Sequence, residues 1–251
     1  MATSLNTLRL HVKNARYTEE PLDDMEIRPL IDGVDVIEAA YEDLEDGVQC
    51  GDPRVWLVPG GPLAAGDEPR TLDFAEKWCG CHDGQMLTVR RDGGTVVWRW
   101  RPGEGGDPVL PEYRFDAAAY DAELERASRD FGWEIPADTV ARLLREALRA
   151  RIDWLARWSC EVYDVWAPSE SGVLVVFERN EQDSDGGWRQ AEEFAVKLPV
   201  TDEGPVVQAA LLADRLLAGD PRTAEEAHLS GILDLLQEGR RRFTGPPPWA
   251  L

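Results

Sequence analysis

Three side chains that can bind metal or act as a nucleophile lie close together in the sequence, at Cys79, Cys81 and His82. Cys50 can reach them through the fold and complete a Cys3His set, a ligand type of structural zinc sites. Zinc-binding cysteine pairs are usually separated by roughly two to four residues, whereas Gly80 alone separates Cys79 from Cys81. We therefore expect no cofactor and two partly buried thiols in a tight turn, with bound zinc as the alternative.

The adjacent pair Cys81 and His82 also suggests a cysteine nucleophile with a histidine base. Adjacent residues rarely form such a pair, because nucleophile and base normally meet across the fold. The sequence contains no Gly-x-Ser-x-Gly nucleophile elbow and no Gly-x-x-x-x-Gly-Lys phosphate loop. An enzyme with a cleft between two halves, using Cys81 or scattered carboxylates, is therefore the alternative function.

The strongest chemical signal is negative charge. The chain has 251 residues and a net charge of -21, and residues 19–46 carry twelve acids against one base, Arg28. Phosphates and anionic lipid surfaces repel carboxylates, so we expect neither a nucleic acid nor a membrane as partner. A basic protein is the electrostatic complement.

We expect the acidic segment 19–46 to be mostly exposed and to contact this basic partner. The predicted contact residues are six acids of the segment and one tryptophan near a loop: Asp23, Asp24, Glu26, Asp35, Glu42, Asp43 and Trp56. Two other arrangements stay open. The charge run can be a merely solvated face, or it can pair within the chain with Arg142, Arg145 and Arg149.

A β-hairpin over residues 86–101 is the clearest structural pattern. Asp92-Gly93-Gly94 supplies residues that tolerate the positive φ of hairpin turns. Val96, Trp98 and Trp100 share one face of the second strand, so Trp98 is predicted to face inward. Asp116 is predicted to cap a helix whose residues Tyr120 and Leu124 pack against Trp98.

The rest of residues 1–130 is predicted to complete an acidic α+β unit. Leu8–Val12 alternates like a half-buried strand, and Asp32-Gly33 predicts a turn between two short strands. Glu38–Leu44 predicts one or two helical turns, and the apolar run Val55–Val58 predicts another strand. Residues 59–70 are rich in proline, glycine and alanine and predict a loop.

Residues 137–243 are predicted to form a second α+β unit, with a proline-rich tail at 244–251. A long helix from Asp138 to Trp158 is followed by three antiparallel strands and two C-terminal helices. The strands are predicted at Cys160–Trp166, Val173–Glu178 and Arg189–Leu198. The helix Pro205–Leu217 is apolar nearly all round and is expected to be buried. The last helix is expected to start at the capping box Thr223–Glu226.

Three motifs in the first unit occur together: Cys79-Gly-Cys81, Thr95-Val-Val-Trp98, and Phe115-Asp with Tyr120 and Leu124 on the following helix. In this respect the chain resembles actinobacterial proteins of unknown role that share a Cys-x-Cys knuckle, a Thr-Val-x-Trp hairpin and a Phe-Asp-x-x-x-Tyr-x-x-x-Leu helix. The resemblance covers residues 1–130. It implies one α+β unit there and no particular activity.

The sequence lacks an apolar run long enough to span a membrane, a signal-peptide pattern and a disulfide-rich composition. These features predict a cytoplasmic protein. We expect it to work by binding another protein, as an inhibitor or immunity-type partner whose acidic surface neutralises a basic target. A zinc-stabilised accessory module is a further alternative.

Overall fold

The structure, a computed structural model, describes residues 5–15, 24–41, 48–77, 85–101, 110–182, 188–224 and 227–228. These residues belong to two compact units that divide between Trp133 and Glu134. Both units combine antiparallel strands with helices, so the predicted α+β class is confirmed. None of the described helices is long and apolar enough to cross a membrane.

The described part of the first unit contains two antiparallel sheets and three helices. Its strands are β1 (Leu8–Ala15), β2 (Asp24–Ile31), β3 (Val34–Asp35), β4 (Val48–Cys50), β5 (Arg70–Lys77), β6 (Gln85–Asp92), β7 (Thr95–Arg101) and β8 (Tyr113–Asp116). Its helices are α1 (Val36–Ala40), α2 (Pro53–Trp56) and α3 (Ala117–Ser128). The strand orders are β1-β2-β3 and β4-β5-β6-β7-β8.

The predicted hairpin is confirmed as β6 and β7. Val89 lies opposite Trp98, and Asp92 lies opposite Thr95 at the turn. Gly93 in the turn has a φ of 59°, a conformation that glycine adopts without steric cost. The predicted turn at Asp32-Gly33 is also present and connects β2 to β3.

Trp98 lies at the centre of the first unit's core and is fully buried. Its ring makes edge contacts with Trp100, Phe115 and Tyr120 at centroid distances of 5.4 to 6.1 Å. Its Nε1 donates a hydrogen bond to the Tyr120 hydroxyl at 3.1 Å, and that hydroxyl donates to the Leu63 carbonyl at 2.7 Å. The hairpin, α3 and the loop before β5 are therefore joined at one indole ring.

The second unit places helices against one antiparallel sheet. Its helices are α4 (Pro136–Arg149), α5 (Ile152–Trp158) and α6 (Pro205–Leu217), followed by a short 3-10 turn at Pro221–Thr223. Its strands are β9 (Cys160–Ser169), β10 (Gly172–Gln182), β11 (Trp188–Pro199) and β12 (Ala227–His228), in the order β12-β11-β10-β9. The three predicted strands are confirmed as β9, β10 and β11.

The inner strand β10 holds the core of the second unit. All five of its residues from Val173 to Phe177 are buried, as the continuous apolar run predicts. Phe177 stacks on Phe194 of β11 with ring centroids 5.1 Å apart. The helices α4 and α6 contact each other, and α4 contacts β9 and β10.

The prediction of a strand at Val55–Val58 is wrong. Pro53–Trp56 forms the helix α2, because the Asp52 carboxylate caps it by accepting the Arg54 backbone N–H at 2.7 Å. Proline is also well suited to the first position of a helix. The sequence reasoning missed β4 and β5 as well.

The prediction of one helix from Asp138 to Trp158 is wrong in two respects: the helix starts earlier, and the chain forms two helices instead of one. α4 begins at Pro136, and Asp138 lies in its first turn, where it accepts the Ile135 N–H at 3.4 Å. A break after α4 lets the chain turn toward β9, which α5 contacts. As a result Ile152, which follows the break, is 73% exposed.

The capping box at Thr223–Glu226 does not start a helix in the residues described. Asp220 instead caps the 3-10 turn by accepting the Arg222 N–H at 3.0 Å. Residues 227–228 pair with β11 as β12, so strand pairing overrides the local helix signal. The remainder of the predicted last helix and the tail 244–251 lie outside the described residues.

Replacement of Trp98 by alanine should lower the free energy of unfolding by about 3 to 5 kcal/mol, because it removes a fully buried ring and leaves a cavity. Phe131→Ala is the control, since that ring is 41% exposed and should cost about 1 kcal/mol or less. Denaturant unfolding of both variants measures the difference. A cost below about 1 kcal/mol for Trp98→Ala would place the indole at the surface.

Candidate protein-binding surface

Glu26, one of the predicted contact residues, is fully buried. One of its carboxylate oxygens accepts the Arg28 Nη2 at 2.6 Å and the Arg28 Nε at 2.7 Å. The other accepts the Cys50 backbone N–H at 3.1 Å. The prediction that Glu26 meets a partner is wrong, because this carboxylate pairs with the one arginine of the segment inside the fold.

Asp35 has a structural role in addition to any contact it makes. Its carboxylate caps α1 by accepting the N–H groups of Ile37 and Glu38 at 3.1 and 2.9 Å. The side chain is partly exposed. It therefore stays a candidate contact residue, although one oxygen is already engaged by the helix N-terminus.

Asp32 and Glu38 are the exposed acids of the segment within its described residues, 24–41. Hydrogen bonds from the Thr7 N–H and from the Asn6 side chain lower the pKa of Asp32 below its ordinary value. Glu38 lies 3.3 Å from Lys13 and its side chain is 65% exposed. Both carboxylates are accessible to a cationic partner.

Four of the predicted contact residues have side chains that the structure does not describe. Three of them lie wholly outside the described residues, namely Asp23, Glu42 and Asp43, and the fourth is Asp24. Their part in binding stays a prediction. The same holds for the thiol knuckle, since Cys79, Cys81 and His82 also lie outside the described residues.

Cys50 is described, and its environment is unsuited to metal or nucleophilic chemistry. The side chain is 5% exposed, and burial raises the pKa of its thiol well above the ordinary value. Metal ligation and nucleophilic attack both require the thiolate. Among the residues the structure describes, no group of three or more histidine, cysteine, aspartate or glutamate side chains is arranged to hold a metal ion.

Trp56 is half-buried and borders a groove of about 330 Å³ in the first unit. Its ring packs edge-on against Phe74 at 5.3 Å. The groove is lined by the loop that follows α2 and by Leu124 and Ser128 of α3. The exposed part of the Trp56 ring remains a candidate contact, while the rest of the ring belongs to the core.

The arginines of α4 have partners close by in their own unit. The Arg142 Nε donates to Glu134 at 2.7 Å, which raises the pKa of Arg142. Arg145 pairs with Asp164 of β9 at 2.8 Å. These contacts give the two arginines roles within the second unit.

Two of these arginines also cover the edge strand β9. The Arg145 guanidinium donates to the Val165 carbonyl, and the Arg149 guanidinium donates to the Tyr163 carbonyl at 3.2 Å. Burial lowers the pKa of Arg149, with repulsion from Arg145 as a smaller cause. Carbonyls that a foreign strand would need are thus already satisfied from α4.

The edge strand β1 is covered in the same way by α3. The Leu10 N–H donates to Glu123 at 2.7 Å, and the Leu10 carbonyl accepts Arg126 at 2.7 Å. Glu123 and Arg126 also pair with each other at 2.7 Å. At this position, therefore, side chains replace a neighbouring strand, and addition of a partner's strand is disfavoured.

The outer face of α6 is exposed, which contradicts the prediction that this helix is buried all round. Val206 is 70% exposed, Val207 55% and Leu211 57%. Asp202 and Glu203, which precede the helix, and Asp214, near its end, are also exposed. An exposed apolar patch with a charged rim is typical of protein-binding surfaces.

The sequence did not reveal this surface, because an apolar helix face has the same residue pattern whether it is buried or exposed. The clue present in the sequence was charge, since Asp202, Glu203 and Asp214 bracket the apolar run. The chain matches no protein-family model, and no curated protein or solved structure is significantly similar to it. The resemblance to actinobacterial proteins therefore stays a prediction.

Replacement of Glu26 by alanine should lower the free energy of unfolding by about 3 to 5 kcal/mol, because it leaves the Arg28 charge buried without its carboxylate. The double variant Glu26→Gln/Arg28→Met should lose less, since it removes both charges and keeps an acceptor for the Cys50 N–H. Urea unfolding compares the two. Equal losses would show that charge pairing is not what stabilises this position.

Cys50 should be alkylated by iodoacetamide at least about 100-fold more slowly in the native protein than in urea, because the reactive thiolate is suppressed by burial. Mass spectrometry of digested protein locates the modified site. Elemental analysis of the native protein, before alkylation, should show no stoichiometric zinc. Fast native alkylation, or one zinc per chain that is lost in Cys79→Ser, would contradict this account of the thiols.

Proposed function

We propose that this protein binds a basic protein and acts as its inhibitor or immunity-type partner, in the cytoplasm. The observation that carries the proposal is the net charge of -21 combined with the exposed, acid-rimmed apolar face of α6. Charge of one sign accelerates the encounter with an oppositely charged partner. Apolar contacts then set the lifetime of the complex.

Three of the buried carboxylates that the structure describes support binding over catalysis. Glu26, Asp52 and Glu123 each pair with an arginine and accept a backbone N–H. A general acid or base must instead be free to exchange its proton with a substrate. These three carboxylates have structural partners, so the proposal assigns them to the fold.

The covered sheet edges support recognition through side chains. β1 and β9 have backbone groups that are already bonded to side chains of α3 and α4. Binding by strand addition needs free N–H and C=O groups. At these two edges a partner is therefore expected to meet helix faces and exposed acids instead. Cys50 and Cys160 are present as thiols and not as disulfides, which fits a reducing compartment.

A lysine-rich peptide should bind the purified protein, and its glutamate-rich counterpart should not. Affinity for the lysine peptide should fall as salt rises from about 0.05 to 0.5 M, because the screening length shrinks. Fluorescence polarisation measures both. Absence of binding to the lysine peptide at low salt would reject a basic partner.

The contribution of the acidic segment is tested by converting Asp23, Asp24, Glu42 and Asp43 to lysine. Association with the lysine peptide should slow, while thermal unfolding should change little, because the proposal assigns these four charges to the surface, where charges contribute little to stability. Stopped-flow fluorescence gives the rate. Equal association rates for the two proteins at low salt would remove the segment from the binding surface.

A further inference from the structure

The outer face of α6 cannot be hidden by rotation of the helix. The opposite face is committed to the core of the second unit through Ala209, Leu212, Ala213 and Leu216, which are all less than 10% exposed. Rotating α6 to bury Val206 and Leu211 would expose that core. The exposed apolar side chains are thus a fixed feature of the fold.

Gln208 fixes the acids at the start of this face. Its side chain is buried, and its amide oxygen accepts the Thr201 N–H at 2.8 Å. Its amide nitrogen donates to the carbonyls of Thr201 and Glu203. The loop that carries Asp202 and Glu203 is therefore tied to the first turn of α6, so that these two acids stay at one end of the apolar face.

Asp214 lies at the other end of the same face, next to Arg215. The surface thus has an apolar centre, Val206, Val207, Ala210 and Leu211, between acidic ends. Three acids against one arginine give it negative charge. A complementary partner would carry apolar side chains in the middle and basic side chains on both sides.

We infer that this face of α6 docks an amphipathic helix of the basic partner, with lysines or arginines flanking its apolar side chains. The inference rests on the proposed function and names the surface that performs it. α6 has 13 residues, so a helix of about 14 residues, or about 21 Å, matches its length.

A second copy of this chain is a poorer occupant of the surface. A two-fold contact between antiparallel α6 helices would place Asp202 and Glu203 of one copy near Asp214 of the other. Each copy also carries a net charge of -21, which opposes association. The charge pattern therefore favours a basic partner over self-association.

The test uses an amphipathic leucine/lysine peptide of about 14 residues and a matched peptide whose leucines are replaced by glutamine. Val206→Gln/Leu211→Gln should weaken binding of the leucine/lysine peptide by about tenfold or more, because two apolar contacts are lost. Ile152→Gln is the control, since Ile152 is 73% exposed in the same unit. It should bind like the wild type. The glutamine peptide should bind the wild type more weakly than the leucine/lysine peptide does.

The outcomes separate the inference from the proposed function. If the leucine/lysine peptide binds Val206→Gln/Leu211→Gln as tightly as wild type, the α6 surface is rejected while a basic partner stands. If neither basic peptide binds any form of the protein, the proposed function is rejected as well. A wild-type dimer that the double variant abolishes, seen by sedimentation, would make a second copy the occupant and overturn the inference. Circular dichroism checks folding, and Val207→Gln replaces the double variant if that variant unfolds.

Discussion

The carboxylate of Glu26 connects the two sheets of the first unit. It sits on β2, pairs with Arg28 on the same strand, and accepts the Cys50 N–H of β4. The adjacent Ile27 N–H donates to the Gly51 carbonyl at 3.0 Å. Because a buried carboxylate is costly unless fully bonded, the position of the three-stranded sheet against the five-stranded sheet depends on this contact.

Charged side chains also bond backbone groups where α3 meets the edge strand β1 and where α4 meets the edge strand β9. Glu123 and Arg126 bond the free backbone groups of β1, and Arg145 and Arg149 bond carbonyls of β9. Many of the charges that look in the sequence like a solvated surface are therefore part of the fold. Within the described residues, a smaller set of acids and the outer face of α6 stay exposed.

Local signals made much of the fold predictable. Asp92-Gly93-Gly94 specified the hairpin turn, Asp116 capped α3, and the apolar run from Val173 specified the inner strand β10. These features depend on neighbouring residues, so the sequence contains them directly. The break between α4 and α5 depends on where β9 lies, which no local pattern encodes.

The candidate surface was less predictable, for a physical reason. In β2, Met25 and Ile27 are buried on one face, and alternation predicts that Glu26 and Arg28 point to solvent. Both are buried, because the opposite charges two residues apart satisfy each other. In α6, an apolar outer face has the same composition as a core face. Only the three-dimensional structure shows that Val206 and Leu211 are exposed to solvent.

The aromatic cluster around Trp98 also gives the first unit its own optical signal. Trp98 and Trp100 are both buried and meet edge to face at 5.9 Å, with Tyr120 bonded to the first indole. Rings held this rigidly produce near-ultraviolet circular dichroism, which disappears when side-chain packing loosens even if secondary structure persists. In the second unit, Trp166 is also buried, whereas Trp154 and Trp158 are only partly buried. Loss of side-chain packing around the buried rings can therefore be followed spectroscopically without any added label.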